Sequence, residues 1–422
     1  MGKKQRLFFL LFITIILAII FSFFLISNKN FAKKYIFNNL PDQLKIIIKI
    51  AINKEFVSNF KNDYNIKFLP KTQFENVNLE KINLFFLKDE NKSSNNYFND
   101  NNLKSFYIEI LNDHILWIIN NKGEIFEIDI NEIKKFKKIN NFKKISTNLK
   151  SKYVLDTLIN KNKIFFSIRE EVINCQKFKI IFAEINNKEL NFKEFFSSNE
   201  CGKNIQAGRM QPFIYQKENG ILFTTGDNDV DKPNLKPQET DSIYGKTIFK
   251  SFKNSKPIIY SLGHRNGQGL FVKNELVLMT EHGPRGGDEV NKITFNKNYG
   301  WPIASYGEKY SSNSENNYDY KKSHENYDYE EPLFSFIPSI GISEIIFLPN
   351  SFSNKWVDNY LVTSLYGRSI FRIKFNENFD KIIYFEKIFI DERIRDIKFF
   401  NQHNMILLAF EEKGQLGILT KN

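Results

Sequence analysis

An all-β chain folded as a six-bladed β-propeller is the class this sequence predicts, and three observations carry it. Beyond Asn65 the apolar residues alternate with a period of two, as strands do. These runs recur at regular intervals, separated by Gly- or Asn-containing turns. No long amphipathic helix interrupts them, so roughly 355 residues of this pattern fit about six four-stranded blades better than one sandwich.

The chain opens differently. After Lys3, Lys4 and Arg6 runs "LFFLLFITIILAIIFSFFLIS", Leu7 to Ser27, with no charge. It is about long enough to cross a bilayer core. A signal peptide has a shorter apolar region and a small-residue cleavage site, so the run reads as an uncleaved N-terminal transmembrane helix within residues 1–29. Basic residues before the span favour a cytoplasmic N-terminus, although Lys29, Lys33 and Lys34 weaken the asymmetry. The expectation is a single-pass inner-membrane protein whose bulk faces the periplasm. Next, "LPDQLKIIIKIAINKEFVSNF" repeats its apolar residues at three and four, which predicts a short stalk helix over 30–64.

Residues 65–422 supply the strands. "HILWIINNKGEIFEIDI", His114 to Ile130, is a strand, a turn and a second strand. The pattern returns in "KIFFSI", "KIIFAEI", "GILFTTGD", "KPIIYSLG", "GLFVKNELVLMTEH", "NYLVTSLYGRSIFRIKF" and "MILLAFEEKGQLGILT". A polar, Tyr-rich insertion, Tyr310 to Pro332, reads as a loop on one propeller face.

Composition narrows the function classes. A 42% hydrophobic and 15% aromatic chain has ample material for a core. The net charge of +12 comes with abundant Asn and Ile along the whole chain and forms no basic stripe interleaved with stacking aromatics. A nucleic-acid partner is therefore not expected. The two cysteines, Cys175 and Cys201, lack CxxC spacing. In an oxidising compartment such a pair forms one disulfide, and their polar contexts favour this over two separate buried thiols.

Propellers place function where connecting loops converge on the central channel. Four loop segments differ from their surroundings: "GRMQPFIYQKENGILFTTGDN" from Gly208, "LGHRNGQGL" from Leu262, "TEHGPRGGDEVNKITFNKNYGWP" from Thr280, and "ERIRD" from Glu392. From about Gly208 to Thr420 the chain resembles the soluble quinoprotein glucose/sorbosone and aldose-sugar dehydrogenases, carried by "GHRN-x-QG", "EHGPRGGDE" and "NYGWP".

The resemblance implies a propeller holding pyrroloquinoline quinone and calcium over its channel, and oxidation of an aldose sugar or related alcohol. A flat tricarboxylate needs guanidinium forks and amide donors. Arg265, Asn266, Arg393 and Arg395 match the family's cofactor contacts, Gln268 lies beside them, and Tyr310, Leu365 and Tyr366 match positions lining the cofactor. Glucose-type members carry Lys where this chain has Tyr366. The carbonyls of Gly283 and Pro284 match the ligands of the cofactor's calcium. Glu289 and the backbone of Tyr299 match a second calcium site; oxygen donors of this kind suit the ion.

One departure opens an alternative. The family's catalytic base is a His in a "GLLGxAxHP" segment, and the corresponding region here, Ser151 to Ile168, has none. The His preceding Arg209 is missing as well, in "NIQAGRM". Glu170, Glu171 and Asp156 are the substitutes considered. His264 and His282 belong to the matched motifs in structural roles. The alternative is a catalytically degenerate propeller that binds a carbohydrate or a protein partner.

Overall fold

The computed structural model describes residues 75–87, 104–149, 153–185, 189–228, 234–253, 256–309 and 320–421. The expected transmembrane and stalk helices lie outside these residues. Among the described residues no helix is long and apolar enough to cross a membrane.

The described strands form six sheets, as expected. Five follow the chain in order, built from strands within 106–145, 153–197, 207–262, 267–336 and 342–389. The sixth joins Ile394–Phe400, Met405–Phe410 and Gln415–Lys421 to Val77–Asn83, which pairs antiparallel along Gln415–Lys421. A strand from the start of the described chain thus completes the blade made by its end. One addition was not legible: Lys297–Asn298 joins the third sheet in parallel, beside Ile258–Leu262.

The inner strands of successive blades are Phe106–Ile110, Tyr153–Asn160, Ala207–Tyr215, Gly267–Lys273, Ile342–Leu348 and Ile394–Phe400. Each lies beside the next, and the last closes on the first. The apolar alternation explains how blades stack. In Ile115–Asn120, Leu116 and Ile118 pack towards the sixth blade, while Trp117 and Ile119 pack towards the second. Both faces of the strand are buried, which is why "ILWII" reads as an uninterrupted apolar run. Burying one such side chain stabilises the fold by about 1.5–3 kcal/mol.

Acidic side chains stitch the inner strands together. Glu109 accepts from the Ile159 amide at 3.2 Å, and Asp156 from the Met210 amide at 2.9 Å. Glu344 accepts from the Leu270 amide at 3.2 Å, and Asp396 from the Ile108 amide at 2.8 Å. Four blade junctions therefore have an N–H of one inner strand capped by a carboxylate of its neighbour. Five of the inner strands also shift register near their first residues, the mark of β-bulges. Each inner strand is also the edge of its sheet, and its buried outward N–H groups need an acceptor from outside the ladder.

Two cations answer this buried negative charge. Arg209 lies 2.9 Å from Asp156 and 3.0 Å from Glu344, and Lys398 lies 3.7 Å from Glu109. Burial pushes the Asp156 carboxyl up to about 7, with Arg209 opposing the rise. Replacing Arg209 with Met strands two buried carboxylates, so urea unfolding should show a loss of about 3–5 kcal/mol. A loss below about 1 kcal/mol would show that the ring does not depend on Arg209.

Cys175 and Cys201 are bonded, so the bridge read from the sequence is present. With 26 residues of separation, the loop-entropy model puts its worth at about 3 kcal/mol. A Cys175→Ser, Cys201→Ser protein should lose that amount in denaturant titration; an unchanged midpoint contradicts the estimate.

Candidate functional site

The site lies on one face of the ring, built by the entries to the inner strands and the turns between second and third strands. Arg265 and Asn266 immediately precede Gly267–Lys273, which carries Gln268. Gly283 and Pro284 turn the chain between Leu276–Glu281 and Asp288–Lys292. Leu365 and Tyr366 occupy the equivalent turn of the fifth blade, with Leu365 buried and Tyr366 exposed. Arg393 precedes Ile394–Phe400, and Arg395 lies on it. Tyr310 lies outside the described residues.

A chain of polar contacts runs across this face. Asn266 Nδ2 donates to Gln206 Oε1 at 2.7 Å, and Gln268 Nε2 donates to Asn266 Oδ1 at 2.7 Å. Arg395 Nη1 donates to Gln268 Oε1 at 3.2 Å, and its Nε to Glu411 Oε2 at 2.7 Å. Arg393 reaches the other oxygen of Glu411, Nε at 2.9 Å and Nη2 at 2.8 Å. Residues two apart on a strand share a face, and here the guanidinium groups converge although the register shifts between Ile394 and Asp396. Two cations share one buried anion, so the cluster keeps a positive charge.

Glu411 was missed in the sequence, although it ends the apolar run "MILLAF". Burial alone would raise its carboxyl; Arg395 and Arg393 outweigh that and hold it below the ordinary carboxylate range. Ser105 Oγ adds a hydrogen bond at 2.8 Å.

Arg265 is held from several sides. Its Nη1 donates to the carbonyls of His282 at 3.1 Å and Gly283 at 2.8 Å. Its guanidinium lies 5.4 Å from the Trp301 ring centroid, and its backbone amide donates to Glu281. The Gly-Pro turn is fixed by Asp288, which accepts from the amides of Gly283 at 3.2 Å and of Ile340 and Ile342 at 2.9 Å each. A Cβ on Gly283 would collide with the Gly287 carbonyl, so the close approach requires glycine. Ser339 Oγ donates to the Pro284 carbonyl at 3.3 Å.

Behind this turn lies a buried acidic cluster. His264 bridges Ser261 Oγ at 2.7 Å and Glu281 at 3.0 Å, and its ring stacks on Tyr299 with centroids 4.6 Å apart. That is the structural role expected of it. His282 hydrogen-bonds the Ile342 carbonyl through Nε2, and burial holds its ring below the usual imidazole value. Asn291 Nδ2 lies 3.2 Å from Glu289 Oε2 and 3.5 Å from Glu281 Oε2. Burial, then the Glu281 carboxylate, push Glu289 well above its ordinary range. Asn291 Oδ1 is buried without a hydrogen-bond donor.

The three carboxylates considered as a base are committed elsewhere. Asp156 sits beneath Arg209 in the channel. Glu170 pairs with Lys179 at 2.6 Å, and Glu171 accepts from Gln176 Nε2 at 2.8 Å.

A six-bladed propeller with an arginine- and amide-lined face defines the class. The model of the Glucose / Sorbosone dehydrogenase family matches residues 104–418, and the chain belongs to that family. It is 28% identical over 214 residues to the Aldose sugar dehydrogenase YliI of Escherichia coli (strain K12), covering 47% of this chain and 56% of that one. The chain spans about half the length of the curated relatives it matches. The fold is similar to the crystal structure of the soluble aldose sugar dehydrogenase from Escherichia coli in its apo form. There the TM-score is 0.65 at 18% identity, over 82% of this chain and 100% of that one. It is also similar to the PQQ-bound form of an aldose sugar dehydrogenase from Streptomyces coelicolor, with a TM-score of 0.55 at 14% identity over 83% of this chain and 100% of that one.

Glu411 makes the site's ionic state testable. Its carboxyl is lowered in the folded protein, so the stability it contributes is present above the unfolded value of about 4.3 and is lost as pH falls through the folded value. Glu411→Gln should cost about 2 kcal/mol or more at pH 7. The gap to wild type should shrink below about pH 4. A gap that is constant across that window would contradict the pairing.

Proposed function

We propose that this face binds pyrroloquinoline quinone with calcium and oxidises an aldose sugar or a related alcohol. The observation that carries the reading is the linked array of Asn266, Gln268, Arg395 and Arg393, organised by a buried Glu411 that neutralises only one of two guanidinium groups. Such an array suits a planar polycarboxylate. Arg265, Arg393 and Arg395 would hold the carboxylates, and Asn266 and Gln268 would supply amide contacts. Leu365 and Tyr366 would line the cofactor, with Tyr310 beside them. When bound, the quinone supplies the two-electron acceptor for the carbon bearing the substrate hydroxyl.

The cation fits on separate grounds. Two buried carboxylates and an amide oxygen without a donor, at Glu281, Glu289 and Asn291, form an oxygen-rich donor set flanked by two imidazoles, His264 at 3.0 Å from Glu281 and His324 at 3.9 Å from Glu289. We assign Glu289 and the Tyr299 carbonyl to one calcium, with Asn291 Oδ1 alongside. The Gly283 and Pro284 carbonyls are assigned to the ion of the cofactor. The uncharged run Leu7 to Ser27 supports a membrane anchor, with the propeller over 65–422 at the outer face of the inner membrane.

A second reading rests on a specific observation. Asp156, Glu170 and Glu171 are engaged in other pairs, and no His stands in their segment. A general base must reach the reacting hydroxyl. The same face therefore also suits a propeller that binds its ligands without turnover.

Titration of the purified protein with the quinone in the presence of calcium tests the first reading. Saturable binding is expected, and Arg265→Ala or Arg393→Ala should weaken it about tenfold or more. No binding by wild type removes the dehydrogenase reading. Binding without dye reduction over a panel of aldoses selects the second. Chelation should lower the melting temperature, since an ion held only by the folded state stabilises it; an unchanged melt with no metal by elemental analysis contradicts the calcium sites.

A further inference from the structure

We propose that Arg169 is a specificity-determining residue of this face, taking the carboxylate or phosphate of an anionic sugar. As a statement about substrate it rests on the sugar-dehydrogenase reading above; as a statement about binding it stands alone.

Arg169 and Tyr153 are a direct cross-strand pair at the site end of the second blade. The guanidinium carbon lies 4.1 Å from the Tyr153 ring centroid. Nη1 donates to the Ile205 carbonyl at 3.3 Å. Ile205 adjoins Gln206, whose Oε1 accepts from Asn266. Arg169 therefore stands at the end of the polar chain that crosses the site.

Its charge is more weakly paired than that of five other arginines. Arg209, Arg368, Arg372, Arg393 and Arg395 each have a carboxylate oxygen within 2.9 Å. For Arg169 the carboxylate is Glu171 at 3.8 Å, a side chain 69% exposed that already accepts from Gln176. The Arg169 Nε is buried and has no hydrogen-bond acceptor. The Arg169 side chain keeps 15% of its surface exposed, and this exposed edge, rather than the buried Nε, can meet an incoming anion; partial desolvation strengthens its charge and the planar fork suits carboxylate or phosphate.

The surroundings hold it in place. The Cys175–Cys201 bond, the reciprocal amide–carbonyl pair of Gln176 and Gly202 at 2.9 Å, and the Ile205 amide donating to Gln176 Oε1 at 3.0 Å fasten the 201–206 loop to the hairpin bearing Arg169. A neutral hydroxyl would need none of this charge.

Calorimetric titration of the full-length protein with D-glucuronate, D-glucose 6-phosphate and D-glucose, with and without quinone and calcium, tests the proposal. At least one anionic sugar should bind about tenfold more tightly than glucose, and the tighter one identifies carboxylate or phosphate. Arg169→Ala should abolish that preference. Arg169→Gln, which keeps a stem and a donor without the charge, should do the same and covers the case in which the Ala protein does not fold. Equal binding of all three sugars by wild type, or a preference surviving both substitutions, overturns the proposal. If the preference holds while no quinone binds, the dehydrogenase reading falls and this one stands. Quinone binding without anionic preference gives the reverse.

Discussion

The ring of inner strands depends on a single constraint: N–H groups at four blade junctions are capped by carboxylates from the neighbouring blade. Glu109, Asp156 and Asp396 each bridge to the next inner strand round the ring, and Glu344 to the preceding one. Each inner strand is the edge of its sheet, so its outward amides need acceptors that water cannot supply in a buried channel. Capping them with carboxylates brings four acidic groups into the interior, where burial raises Glu109, Asp156 and Glu344 above the ordinary carboxylate range. Arg209 and Lys398 follow as a consequence. Arg209 also donates to the Arg395 carbonyl at 3.1 Å, so the channel network braces the strand that presents the site's guanidinium groups.

The site repeats this logic with the signs exchanged. In the channel, cations answer structural carboxylates; at the face, Glu411 answers two arginines and leaves their cluster positive. A single carboxylate aligns both guanidinium groups and lowers their repulsion without cancelling their attraction for an anion. The Gly-Pro turn does related work with dipoles: its Gly283 carbonyl already receives a guanidinium, which shows that it points towards positive charge. The Glu281, Glu289 and Asn291 cluster is flanked by the imidazoles of His264 and His324, which answer a carboxylate more weakly than a guanidinium does.

The second strands of the blades were legible because both their faces are buried, which leaves apolar runs broken by turns, whereas outer strands such as Val77–Asn83 and Lys143–Ile145 are largely exposed. The Cys175–Cys201 bond was legible from an isolated pair in polar contexts. The motif residues Arg265, Asn266, Gln268, Arg393 and Arg395 stood out as charged or amide side chains in varied loops, and the fold brings them into one connected array. Glu411 and Gln206 were not legible. Gln206 meets Asn266 60 positions away, and Glu411 meets Arg393 and Arg395 only across a strand pairing; nothing local distinguishes either from a surface position. The pairing of Lys297–Asn298 was hidden for a similar reason, since two residues have no period to read.

The sequence by itself determined the strand pattern and the chemistry of the loop residues, because alternation and residue type are local properties. Which charges meet was decided by tertiary structure alone. Arg209 lies 53 positions from Asp156 and 135 from Glu344, and Arg395 lies 127 from Gln268. Electrostatic pairing depends on distance and burial, and in a propeller both are set by blade closure rather than by neighbours in the chain.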